Sequence, residues 1–95
     1  NTLNTPELNL KFAEGEHFAL IQELVKRADF PNAKLTTIDG LRADFNDGFG
    51  LVRASNTTPV LVFRFEGDNK EALERIQKRF RELVLAARPG IALPF

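Results

Sequence analysis

Arg53, Ser55, Asn56, Thr57 and Thr58 crowd into one short stretch, RASNTTP, which closes on Pro59. Together they offer a guanidinium, three hydroxyls and an amide. That set suits a phosphate. A planar guanidinium fork matches two phosphate oxygens, and backbone N–H groups of a tight loop can add to it. Hydrogen bonds to a charged group contribute about 1.5–3 kcal/mol each, so a handful of them can hold a dianion. The same residues also suit an ordinary polar turn, in which Ser, Asn and Thr bond their own backbone. By spacing alone the turn is the better account, because nothing in the stretch is diagnostic.

Other stretches touch known chemistry and fall short. DGFGLVRA, residues 47–54, resembles an RNA-binding strand at Gly48, Phe49, Gly50 and Val52. Its basic position is Asp47, and Leu51 and Ala54 stand where stacking aromatics are needed. Phe49 is therefore expected in a core or an interface. DFNDG, residues 44–48, has Gly48 one place early for a calcium loop and no closing glutamate. Asn56-Thr57-Thr58 matches a glycosylation acceptor by accident of composition. His17 is the only histidine. It has no clustered partner and is expected partly exposed near a helix start. Arg42 and Arg64 read as strand residues that pair with Asp44 or Glu66, with Arg64 a lesser candidate for a basic pocket mouth. No catalytic group and no metal-ligand set is found.

The composition narrows the classes. With 95 residues the chain is expected to form one domain. Its 13 basic and 13 acidic residues cancel, which disfavours binding to nucleic acid or a membrane surface by bulk charge. Cysteine is absent, so disulfides, thiolate metal sites and cysteine nucleophiles are excluded. No apolar run approaches a membrane span. Methionine is also absent, and the chain is read as a piece of a longer protein.

These residues must be positioned by regular elements. NTLNTPE, residues 1–7, reads as a polar linker. LNLKF alternates as a half-buried strand. From Glu16 a helix is expected, with Phe18, Ile21, Leu24, Val25 and Ala28 on its apolar face, ended by Pro31. KLTTI, LRADF, GFGLVRA and VLVFRFE read as strands, with turns at Asp39-Gly40 and at residues 46–48. In the last strand Leu61, Phe63 and Phe65 share a face. A final helix is expected to start at an Asp68 N-cap boxed by Glu71. Leu73, Ile76, Phe80, Leu83, Val84 and Ala87 form its stripe. Glu71–Arg75, Glu74–Lys78 and Lys78–Glu82 form charge pairs outside it, and the apolar IALPF docks as a tail. The fold class is α+β, ordered β-α-β(4)-α, with two helices on one face of an antiparallel sheet.

GLVRASNTTPVLVFRFE, residues 50–66, resembles the C-terminal (fourth) domain of the phosphohexomutase superfamily, within it the bacterial phosphomannomutase/phosphoglucomutase group. LTTIDGLRADF, EALERIQKRF and the closing LPF are similar too, so the resemblance covers nearly the whole chain. SNTTP resembles the mannose/glucose branch; phosphoglucosamine mutases usually carry Gly in place of Asn56. The resemblance implies a TATA-binding-protein-like β-α-β(4)-α domain over residues 8–95, preceded by a hinge in residues 1–7. It implies that Arg53, Ser55, Asn56 and Thr57 bind the substrate phosphate, with Thr58 and Arg64 as accessory candidates. The implied partners are mannose and glucose 1- and 6-phosphates and the other domains of a cytoplasmic enzyme. Its phosphoserine and Mg²⁺ would lie in those other domains, so nothing here is catalytic alone. Against this stands a different class, a non-enzymatic interaction or nucleic-acid-binding module that uses the open sheet face.

Overall fold

The computed structural model describes residues 2–95. Asn1, and with it part of the expected linker, lies outside the described residues. The elements are β1 (Leu3–Asn4), β2 (Leu8–Lys11), α1 (Glu16–Arg27), β3 (Lys34–Thr36), β4 (Leu41–Phe45), β5 (Gly48–Ala54), β6 (Val60–Gly67) and α2 (Lys70–Ala87). From β2 onward this is the expected β-α-β(4)-α order.

All neighbouring strands pair antiparallel, in the spatial order β1-β6-β5-β4-β3, with β2 beside β6. β1 and β2 thus share one edge of β6. Asn4 faces Glu66 and Leu8 faces Phe63. Residues 5–7 on one strand therefore oppose only residues 64–65 on the other, which is a bulge. Pro6 lies inside it and has no N–H to give the ladder. Thr5 compensates at the break: its N–H donates to Phe65 O at 2.9 Å, and its hydroxyl oxygen accepts from Phe65 N at 3.1 Å. The polar lead-in is therefore laid along the sheet at Leu3–Asn4.

Both helices cover one sheet face. Leu61, Phe63 and Phe65 point into the core as their alternation predicts, with Val52, Leu41 and Ala43 beside them. Leu20 and Leu24 of α1 and Ile76, Phe80 and Val84 of α2 close it from above. Phe80 packs edge-on to Phe65 with ring centroids 5.4 Å apart. Gly50 is the floor beneath that ring, since a Cβ there would run into Phe80. The IALPF tail docks as expected. Phe95 lies 4.9 Å from the Phe63 ring and 4.8 Å from the Phe65 ring.

Four local expectations are corrected. The N-cap of α2 is Asn69, whose Oδ1 accepts from Ala72 N at 2.9 Å, not Asp68. Both residue types cap well, and the strand runs one residue further than its pattern, through Gly67. On α1, Leu24 is buried and Ile21, Val25 and Ala28 pack against the core as expected, but Phe18 is exposed, and His17 and Leu20 are buried instead. The three four-apart pairs on α2 are not among its ion pairs; Arg75 reaches instead to Asp47 in the β4–β5 turn. The β3–β4 connection spans residues 37–40 rather than Asp39-Gly40 alone.

Candidate functional site

RASNTTP begins on the last residues of β5 and returns to β6 at Val60. Pairing fixes which way each side chain goes. Arg53 is opposite Val62 and alternates with Val52 and Ala54. Val52 is fully buried under the helices, so Arg53 projects from the open face. Arg64 is opposite Leu51. It shares that face, diagonal to Arg53, and is exposed.

Beyond Ala54 the loop is tied at its base. Ser55 N donates to Val60 O at 3.0 Å, and Val60 N donates to Thr58 O at 2.8 Å. At the tip, Ser55 Oγ is the hub. Thr57 N and Thr58 N donate to it at 3.2 and 3.3 Å, the Thr58 hydroxyl donates at 3.3 Å, and the Thr57 hydroxyl lies 3.2 Å away. This is the self-bonded polar turn that the sequence allowed. It also means that two successive N–H groups converge on one oxygen, a concave donor arrangement of the kind that accepts anions. Asn56, Thr57 and Thr58 are exposed around it. The structure thus brings Ser55, Thr57 and Thr58 into contact and sets Arg53 at the strand end leading to them. No bond links Arg53, Asn56 or Arg64 to that hydroxyl cluster among the described residues.

Two neighbours of Arg53 were not visible in the sequence. Glu7, in the edge bulge, places a carboxylate oxygen 3.7 Å from the Arg53 guanidinium. Gly40, at φ 86°, presses on β5 from the β3–β4 loop. A Cβ on Gly40 would lie 2.9 Å from both Cα and Cβ of Arg53. Glu7 could not be found by local pattern, because the bulge that carries it belongs to a pairing between residues far apart in the chain.

The expectation for His17 is also corrected. It is 1% exposed, and its Nε2 lies 3.1 Å from the backbone oxygen of Ser55. The signal was there: His17, Leu20 and Leu24 fall at helical spacing, and counting Leu20 would have put His17 on the buried face.

The rest of the open face is mixed in charge. Arg42 binds Asp44 in a fork, Nε to Oδ2 at 3.0 Å and Nη2 to Oδ1 at 3.0 Å. The Asp44 hydrogen bonds raise the Arg42 pKa above its usual value. The Arg42 guanidinium covers the Phe49 ring at 4.1 Å, so Phe49 belongs to this face and not to the core. Among the described residues no helix is long and apolar enough to cross a membrane. No group of three or more His, Cys, Asp or Glu side chains is gathered for a metal ion among them either.

Residues 7–83 match the family described as phosphoglucomutase/phosphomannomutase, C-terminal domain. The chain is 50% identical to the phosphomannomutase/phosphoglucomutase of Pseudomonas putida over 95 residues, which is 100% of this chain and 20% of that protein. It is 50% identical to the phosphoglucomutase of Neisseria meningitidis serogroup B, over 98% of this chain and 20% of that one. A crystal structure of a phosphoglucomutase/phosphomannomutase family protein from Burkholderia thailandensis superposes with a TM-score of 0.88 at 50% identity, covering 100% of this chain and 20% of that one. The chain therefore spans about a fifth of the length of these relatives. With the β-α-β(4)-α order and this coverage, the chain belongs to the phosphoglucomutase/phosphomannomutase family, where it corresponds to the C-terminal domain.

Proposed function

We propose that the loop from Arg53 to Thr58 clamps the phosphate of a hexose phosphate that is not reacting, while phosphoryl transfer proceeds in other domains of a phosphomannomutase/phosphoglucomutase. The ligands would be the mannose and glucose 1- and 6-phosphates. Arg53, Ser55, Asn56 and Thr57 would bind the phosphate, with Thr58 and Arg64 at its margin. The observation that carries this proposal is the convergence of the Thr57 and Thr58 N–H groups on Ser55 Oγ. They turn inward at the end of the strand that projects Arg53. An arriving phosphate oxygen takes the acceptor place that Ser55 Oγ fills, and the hydroxyl is released to donate.

A clamp of this kind contributes by position. Holding one end of the sugar fixes the other end against the reacting phosphoryl group, which removes rotational and translational freedom before the chemical step. The nucleophile would belong to another domain. The residues present do not fit the Mg²⁺ that such enzymes are expected to use, since no acidic cluster is gathered among the described residues. The ion would belong to another domain. Residues 1–7 would serve as part of a hinge, and the enzyme would work in the cytoplasm.

The test is Arg53→Ala in the full-length enzyme that carries this chain. Turnover of glucose 1-phosphate should fall at least about a hundredfold, since loss of a charged phosphate contact removes about 1.5–3 kcal/mol and misplaces the sugar as well. Thermal unfolding should stay near wild type, because Arg53 lies on the open face. Near-normal kinetics would remove the clamp assignment.

A further inference from the structure

We propose that His17 is a positioning residue for the phosphate loop, acting through the Ser55 carbonyl; this rests on the clamp assigned above. A carbonyl oxygen only accepts, so the 3.1 Å contact requires that His17 Nε2 carry the hydrogen. The donor comes from the first turn of α1, on the helix side of the sheet. It holds the base of the loop from beneath, while Arg53 projects from the opposite face.

Its consequence follows from the peptide plane. No cis peptide bond is present among the described residues. In a trans peptide the C=O of one residue and the N–H of the next point in opposite directions. Fixing Ser55 O toward buried His17 therefore aims the Asn56 N–H away from the core, toward the exposed side of the loop. Among the described residues that N–H has no hydrogen-bond partner. It is left as a third backbone donor beside those of Thr57 and Thr58.

The cost of the arrangement argues for its purpose. His17 Nδ1 is buried without a partner among the described residues, and an unpaired buried polar atom is unfavourable. Leucine would fill the space with no such atom. What leucine cannot do is donate to Ser55. The Phe18 ring, 4.0 Å from the imidazole at 33°, braces His17.

The experiment uses the full-length enzyme carrying this chain, with glucose 1-phosphate as substrate and with His17→Leu, His17→Gln and Arg53→Ala side by side. Glutamine keeps an N–H near the place of Nε2; leucine does not. His17→Leu should raise KM about tenfold, the size of one lost hydrogen bond, with kcat nearly unchanged. His17→Gln should recover most of that loss at similar thermal stability. Equal KM values for the Leu and Gln variants, with Arg53→Ala impaired, would overturn the positioning role and leave the clamp standing. Wild-type kinetics for Arg53→Ala would remove the clamp itself. Should His17→Leu not fold, ¹⁵N-histidine NMR of the wild-type enzyme decides. A protonated Nε2 whose signal moves on saturation with glucose 1-phosphate supports the role. An Nδ1–H tautomer, or an unmoved signal, overturns it.

Discussion

The Arg53 guanidinium and the Glu7 carboxylate lie 3.7 Å apart, across the bulged edge of the sheet. One is the cation expected to meet the substrate; the other sits in the segment expected to act as a hinge. A phosphate arriving at Arg53 competes with Glu7 for the same charge. Glu7→Gln should therefore tighten glucose 1-phosphate binding to the full-length enzyme. Both side chains are well exposed, so the gain should be no more than about fivefold. It should vanish at high salt, where exposed pairs are screened. Titrations at low and high ionic strength check this; a gain that persists in high salt would rule out the electrostatic cause.

Gly40 tests how tightly the β3–β4 loop holds Arg53. Its positive φ and its approach to the Arg53 backbone both exclude a side chain. Gly40→Ala should destabilise the protein by about 1–3 kcal/mol through strain and overpacking. It should also weaken phosphosugar binding, because Arg53 is the residue pushed. Urea unfolding and substrate titration on the same variant measure the two effects. Loss of stability with binding intact would show that Arg53 is insulated from the loop.

Glu23 supplies a pH prediction. Its carboxylate accepts from Arg88 and from Arg27, each at 2.8 Å, tying α1 to the end of α2. Chiefly through Arg88, its folded pKa is lowered from the ordinary 4.5. A lowered pKa means that the unfolded chain binds the proton more readily. The stabilisation is thus present above pH 4.5 and fades as pH falls toward the lower folded value. Glu23→Gln should shift the urea midpoint downward at neutral pH. The shift should shrink as the solution is taken below 4.5. A difference that does not change with pH would assign the effect to packing.

The sheet was legible because its signals are local. VLVFRFE alternates cleanly, and Leu61, Phe63 and Phe65 are buried as that pattern demands. The site was legible only as a set of residue types. RASNTTP shows donors in sequence, but not that Thr57 and Thr58 turn their N–H groups onto one oxygen. His17 and Glu7 reach the loop through contacts between distant parts of the chain. A lone histidine beside Phe18 and an acid beside Pro6 carry no such information by themselves. On α1 the expected apolar face failed only at Phe18, for a related reason. Phe18 looks like core by type, yet it lies beside the line that His17, Leu20 and Leu24 turn to the sheet, and it is exposed.

The central claim is that this loop holds the phosphate of the sugar. A crystal structure of the full-length enzyme bound to glucose 1-phosphate tests it most directly. Phosphate oxygens within hydrogen-bonding distance of Arg53, Ser55, Asn56 and Thr57, with Glu7 displaced from Arg53, are the predicted result. A saturated complex in which the phosphate binds elsewhere and Ser55 Oγ keeps both threonine N–H groups would contradict it.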